Sequence, residues 1–352
     1  MNNEAKIIVL TPIKNEDWIL HQFLTLTSLF ADCIIVADQQ SSDRSAEICR
    51  AFPKVIRIEN NSKEFNEDHR QLLLIETARR HFPKDTRLLL GLDADELVSA
   101  DSLEMTQVWA RLKRLPKGTS LHFERPDILY GNKACIRGKK YAHYFPLGYI
   151  DDGSPHQPDL IHSRRVPNNP SGEHVYVEEL KFMHFFCARL NLRLAKLRYY
   201  SALENIKHTS RFYLRRYIYS PDTYERNYAE RIEPLPESWI NYHHTIDVDL
   251  NNFPDPSFNW QDLEVLKLFK THGCKRFHLD NIWSFDWELL LQQTGNSNGL
   301  YPSEIQRPAK LLTTLLSFLD KLYLKSRKIR NLNLLSLCQL FLDLFPVPQL
   351  HG

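Results

Sequence analysis

The sequence predicts an α/β protein built on a Rossmann-like, mostly parallel sheet flanked by helices, with a helical insertion and C-terminal helices added to it. Three observations carry this prediction. Short apolar segments and helical-period segments alternate four times within the first 95 residues. The apolar segments are rich in β-branched residues and lack the polar alternation of a half-exposed strand, as expected for strands covered on both faces. A polar loop closes each of them, which is the rhythm of a parallel sheet with crossover helices.

Taken in order, "KIIVLT" at residues 6 to 11 reads as a buried strand, and apolar residues at helical spacing follow from Trp18 to Phe30. "CIIVADQQSSD" is a second strand with a polar loop, and "RSAEICRAF" a second helix. "KVIRIEN", "NEDHRQLLLIETARRHF" and "TRLLLGLD" supply a third strand, a third helix and a fourth strand. Past residue 115 the rhythm fades. "TSLHFERPDILYG" reads as a strand carrying aromatic residues, residues 131–175 as loop-rich, and "ARLNLRLAKLRYYSALENI" as a helix. The expected organisation is residues 1–115 as a nucleotide-binding half, 116–205 as an acceptor-binding half, 206–304 as a Trp-rich, mostly helical insertion, and 305–352 as amphipathic helices. In the insertion, core packing is favoured over a sugar-stacking role for the tryptophans.

Composition narrows the function classes. The 352 residues carry a formal net charge of +2, with 43% hydrophobic and 25% charged residues, so there is no global polycation to bind nucleic acid. The six cysteines are far apart with no C-x-x-C pair, which argues against a disulfide framework or a cysteine zinc site. A reduced, cytoplasmic setting is expected. "MNNEAKIIVL" enters a strand at once and has no signal-peptide pattern, and no window reaches the ~18 apolar residues of a membrane span.

The chemistry gathers where the predicted strands end. Ligands of parallel α/β sheets bind at the carboxyl ends of the strands. Those ends carry Thr11 to Glu16, then Asp38, Ser41, Ser42 and Asp43, then Glu67, His69 and Arg70, then Asp93, Asp95 and Glu96. Three carboxylates at the mouth of a leucine-rich strand need a positive counterpart. Asp93 and Asp95, two apart, share one face of an extended chain. Hard oxygen donors of this kind suit Mg²⁺ or Mn²⁺, with phosphate oxygens and water completing the shell. A D-x-D is also what an exposed turn shows, and Glu96 and Asp101 can complement the dipole of the next helix. An EF-hand is excluded because "DADELVSADSLE" lacks the loop glycine. A haloacid-dehalogenase pattern is excluded because the D-x-D follows the fourth strand.

The ordered set "TPIKNE", "VADQQSSDRS", "FNEDHRQ", "LDADE", "HSRRVP", "GEH", "FMHFF" and "LAKLRYYSALE" resembles the family 2 glycosyltransferases of the GT-A fold, in particular the bacterial branch that builds lipopolysaccharide cores and related surface glycans. The resemblance is dense over residues 6–100, patchy but ordered to about residue 205, and silent beyond. It implies a cytoplasmic, metal-dependent, inverting transferase. The donor would be a nucleotide-sugar, with UDP-sugars favoured, and the acceptor a glycan or lipid-linked glycan. Thr11, Asn15 and Glu16 would line the base and ribose site, Asp38 would hold the base, and Arg70 would balance the diphosphate. Asp93 would meet ribose or metal, Asp95 would be the principal metal ligand, and His184 would close over the metal or diphosphate.

Two departures stand out. The family's H-E is reversed here as Glu173-His174, with Asp151-Asp152 and Glu178-Glu179 as competing pairs; Glu173, then Asp152, is the expected base. The glycine of the second motif is replaced by Gln40, which is expected to narrow the nucleotide pocket. A nucleotidyltransferase and a non-catalytic binder on the same scaffold remain as alternatives, the first opposed by the absence of glycine from "TPIKNED". "NYHHTIDVDL", with His243, His244, Asp247 and Asp249, has metal-ligand residue types but no distal partner. The basic residues Lys321, Lys325, Arg327, Lys328 and Arg330 of the C-terminal helices suit either peripheral contact with an anionic membrane or packing of a helical pair.

Overall fold

The computed structural model describes residues 4–62, 67–129, 131–137, 144–156, 164–207, 231–241, 248–277, 279–295 and 300–309. The chain divides into two compact units, one of residues 1–189 with 231–254 and the other of residues 190–230 with 255–352.

The first unit is the α/β body. Its leading half is the expected alternation: β1 (Lys6–Ile13), α1 (Leu20–Phe30), β2 (Cys33–Asp38), α2 (Ser45–Arg50), β3 (Val55–Glu59), α3 (Glu67–His81) and β4 (Arg87–Gly91). All three pairings among these strands are parallel, in the spatial order β3-β2-β1-β4. Their side chains are apolar on both faces because both faces are covered. On one face Leu74, Ile75 and Ala78 of α3, at helical spacing, pack on Ile8, Leu10, Ile35 and Leu89.

The sheet continues through β5 (Glu96–Val98), α4 (Ala100–Glu104), α5 (Thr106–Leu112), β6 (Ser120–Glu124), β7 (Asp127–Leu129), β8 (Ala134–Ile136), β9 (Tyr144–Ile150) and β10 (His174–Cys187), and β11 (Ile232–Pro234) pairs with β8. β9 lies antiparallel between β4 and β6, while β6 and β7 both run parallel to β10. The single aromatic strand expected over 119–131 is broken into β6 and β7 at Arg125-Pro126, where proline has no N–H to give to a ladder. β9 and β10 lie in or beside the stretch expected to be loop-rich.

The second unit contains α6 (Leu190–Lys207), as expected, with α7 (Trp260–His272) and α8 (Trp287–Thr294). Phe269 stacks on Trp283 at 5.3 Å and meets Trp287 edge-on at 5.1 Å. The indole N–H groups of Trp283 and Trp287 donate to the carbonyls of Phe277 and Ile282. These tryptophans pack a core, the favoured reading. Among the described residues no helix is long and apolar enough to cross a membrane. The basic C-terminal segment, and His243, His244 and Asp247, lie outside the described residues.

Candidate functional site at the carboxyl edge of the parallel strands

From β1 the chain steps outward through β2 and β3, then returns to the opposite side of β1 to form β4. The crevice between the carboxyl ends of β1 and β4 is therefore the switch point where a parallel sheet opens to a ligand. Thr11 lies on β1 just before it; the residue is fully buried and its hydroxyl has no hydrogen-bond partner.

The loops after β1 and β2 are clasped together. The Asn15 N–H donates to Ser41 Oγ at 2.9 Å, and the Ser42 N–H donates back to Asn15 Oδ1 at 2.7 Å. The Glu16 N–H donates to Ser45 Oγ at 3.0 Å, and Glu16 Oε2 accepts from Trp18 Nε1 at 2.7 Å. Asn15 and Gln40 take left-handed backbone angles, with φ of 56° and 52°. Asparagine visits that region readily, while glutamine does so at a cost of about 1 kcal/mol. Gln40 thus keeps the turn that a glycine would form, with its side chain exposed. Asp38 is fully buried: Oδ1 accepts from the Ser41 N–H at 2.9 Å, and Arg57 binds Oδ2 through Nε at 2.9 Å and Nη2 at 2.8 Å. Arg70 is half-buried on the first turn of α3.

The acidic turn after β4 draws its counter-charge from the chain itself. Arg165 bonds Asp93 Oδ2 through Nη2 at 2.5 Å and grips Glu96 Oε2 through Nη1. Arg125 Nη1 holds the other Glu96 oxygen at 2.7 Å. Burial would raise the Glu96 pKa, but Arg165 and then Arg125 outweigh it and bring the carboxyl down to about 2. Burial likewise works against the charge on Arg165, and Asp93 with Glu96 reverses that and holds it more firmly protonated than usual. Gly91 makes this possible: a Cβ there would stand 2.5 Å from Arg165 Cβ, so only glycine lets that segment close on the end of β4.

Asp95 belongs to a different partnership. β10 pairs His184 opposite Glu96 on β5 and beside Asp127 on β7. His184 Nδ1 lies 2.6 Å from Asp127 Oδ1, and Nε2 lies 3.9 Å from Asp95 Oδ1. A carboxylate accepts, so the proton between His184 and Asp127 sits on Nδ1, which fixes the ring and aims Nε2 at Asp95. The 3.9 Å gap is too long for a hydrogen bond. Two ligands each ~2.1 Å from one ion stand about 3 to 4 Å apart, so the pair suits a shared divalent cation. Among the described residues no three His, Cys, Asp or Glu side chains gather as a metal cage. A cation here would take its remaining ligands from phosphate and water, the habit of Mg²⁺ and Mn²⁺.

The residues expected around a nucleotide and metal thus share one edge, but the expected bases do not. Glu173 directly precedes β10, and its carbonyl accepts from the Ser120 N–H where β6 begins. It stands eleven residues before His184 along β10, at most about 36 Å at the usual strand rise and somewhat less because the strand shifts register between Val177 and Lys181. Asp152 follows β9 where Ile150 pairs with Leu88 at the start of β4. Both carboxylates are exposed at the opposite edge of the sheet, because β9 runs antiparallel and β10 begins there. The residues missed in the sequence are Arg125, Arg165 and Asp127. "HSRRVP" was conspicuous as a basic motif, but nothing local ties it to a turn some 70 residues earlier.

No protein-family profile matches the chain, and no curated protein matches it. Similar solved structures include 4-diphosphocytidyl-2C-methyl-D-erythritol synthase, at 14% identity and a TM-score of 0.25 over 42% of this chain and 73% of that one. A mycobacterial protein is similar at 17% identity and a TM-score of 0.23, over 35% and 42% of the two chains. Likenesses at this level carry no argument about activity.

Proposed function

We propose that the chain is a metal-dependent, inverting glycosyltransferase that moves a sugar from a nucleoside-diphosphate donor, a UDP-sugar by preference, to a glycan or lipid-linked glycan. The observation that carries this reading is the pairing of Asp95 with an Asp127-oriented His184 at the switch point of a parallel sheet. Asp95 and His184 would hold Mn²⁺ or Mg²⁺, which neutralises a diphosphate leaving group when bound. The Asn15–Ser41–Ser42 clasp shapes the floor of the nucleotide crevice, and its pre-formed geometry limits the ordering cost of binding.

The test is turnover. The purified chain with Mn²⁺ is offered UDP-, GDP-, CDP- and ADP-sugars together with a mixture of glycan acceptors, and both nucleoside diphosphate and pyrophosphate are assayed. Release of one nucleoside diphosphate, lost on chelation, is the expected result. In parallel reactions the chain is offered the four nucleoside triphosphates with sugar phosphates, and pyrophosphate formed there, with no nucleoside diphosphate released from the sugar donors, would replace this reading with nucleotidyl transfer.

A further inference from the structure

We propose that Arg165 is the resident counter-ion of the acidic edge and keeps Asp93 out of the cation's coordination shell. Among the described residues the protein then offers the cation Asp95 and His184, and the ligand's phosphates complete the site. This rests on the glycosyltransferase reading and assigns Arg165 a positioning role within it.

The geometry carries the argument. Asp93 Oδ2 is bound by Arg165 at 2.5 Å, and the Asp93 N–H is committed to Glu96 Oε2 at 3.0 Å, so side chain and backbone are both held toward the Arg165–Glu96 pair. Arg165 is fixed in turn. Its guanidinium bridges two carboxylates in the forked geometry that lysine cannot reproduce. Its own backbone is packed against Gly91, where no side chain fits. Glu96 is fully buried and shared with Arg125, so the bridge is anchored from below. Two carboxylates, Asp93 and Glu96, are gripped by two guanidiniums, while Asp95 Oδ1 stands 3.9 Å from Nε2 of an Asp127-bound His184. Cation affinity at oxygen sites follows the number of charged ligands. Mn²⁺ alone therefore meets a weak site, and metal and nucleotide enter together. Arg165 also places a fixed positive charge beside the position of a diphosphate, where it adds to the neutralisation of the leaving group.

Mn²⁺ binding without nucleotide, followed by electron paramagnetic resonance of the free ion, tests this on the full chain. Wild type is expected to bind Mn²⁺ weakly alone and more tightly with UDP. Arg165→Gln is expected to bind Mn²⁺ alone about tenfold more tightly or better, because Asp93 is released to it. That gain should vanish in Asp93→Asn/Arg165→Gln and be partly reversed in Arg165→Lys, which keeps the charge without the fork. Should Arg165→Gln not fold, Arg165→Gln/Glu96→Gln removes the buried charge left behind and answers the same question. Equal Mn²⁺ affinity in wild type and the folded Arg165 variant overturns the proposal, as does a loss of wild-type affinity on Asp93→Asn. A wild type that binds no nucleoside diphosphate with Mn²⁺ sinks the transferase reading instead. The Arg165 variant still reports whether Asp93 was being withheld.

Discussion

Asp151 shows at the scale of one residue how this chain treats charge. It is fully buried next to an exposed acidic neighbour, and it is bound by Arg79 through Nε at 3.2 Å and Nη2 at 2.8 Å, and by Arg87 through Nε at 2.8 Å. Burial would raise its pKa; the bonds from Arg79 and then Arg87 outweigh burial and lower it. A folded-state pKa below the unfolded value means that the unfolded chain binds the proton first. The stabilisation is therefore present above the ordinary value of 3.8 and is lost as pH falls below it. Asp151→Asn leaves two arginines with half a partner, so it should cost about 3 to 5 kcal/mol in urea denaturation at neutral pH and flatten the acid limb of the stability profile. A variant as stable as wild type would show that the cluster is not held by this carboxylate. The sequence shows Asp151-Asp152 only as one of two acidic pairs that compete with Glu173. Which member is buried depends on arginines 64 and 72 positions away in the chain.

At the scale of elements, β9 and β10 decide which residues can work together. The first four strands were legible because each is a short apolar run followed by a helical period, so the signal is local. β9 reads "YFPLGYI", with a proline and a glycine that mimic a loop, and it exists through pairing with β4 and β6. β10 is fourteen residues long and shifts register between Val177 and Lys181, so no single alternation marks it. That strand carries His184 to the carboxyl edge and leaves Glu173 at the other. Asp93 and Asp95 stand out in the sequence as carboxylates ending an apolar strand, whereas the place of Glu173 does not, since the family-like H-E order says nothing about which end of a strand it occupies. Glu173→Ala and Asp152→Ala should each leave turnover within about twofold of wild type, the usual scale of a surface change. A loss of a hundredfold or more in either would require the acceptor to reach the opposite edge of the sheet.

At the scale of the whole molecule, the first unit contains every residue expected to touch a nucleotide or metal, while the tryptophan-rich helices of the second form a packed core of their own. With a net charge of +2 the chain has no global field to attract a phosphorylated ligand, so under the proposed function recognition would be local, at the edge that carries Asp95, His184 and Arg165. The central claim is that this edge binds a nucleotide through a cation held by Asp95. It is tested most directly by a thermal-shift panel of UDP, GDP, CDP and ADP, each with and without Mn²⁺, on wild type and Asp95→Ala. A ligand at ~100 times its Kd adds roughly 2.7 kcal/mol, a rise of a few degrees in Tm. One nucleotide, UDP by preference, should raise the wild-type Tm only when Mn²⁺ is present, and Asp95→Ala should fold normally and lose that rise. Stabilisation of wild type by no nucleotide, or an undiminished rise in Asp95→Ala, would contradict the account.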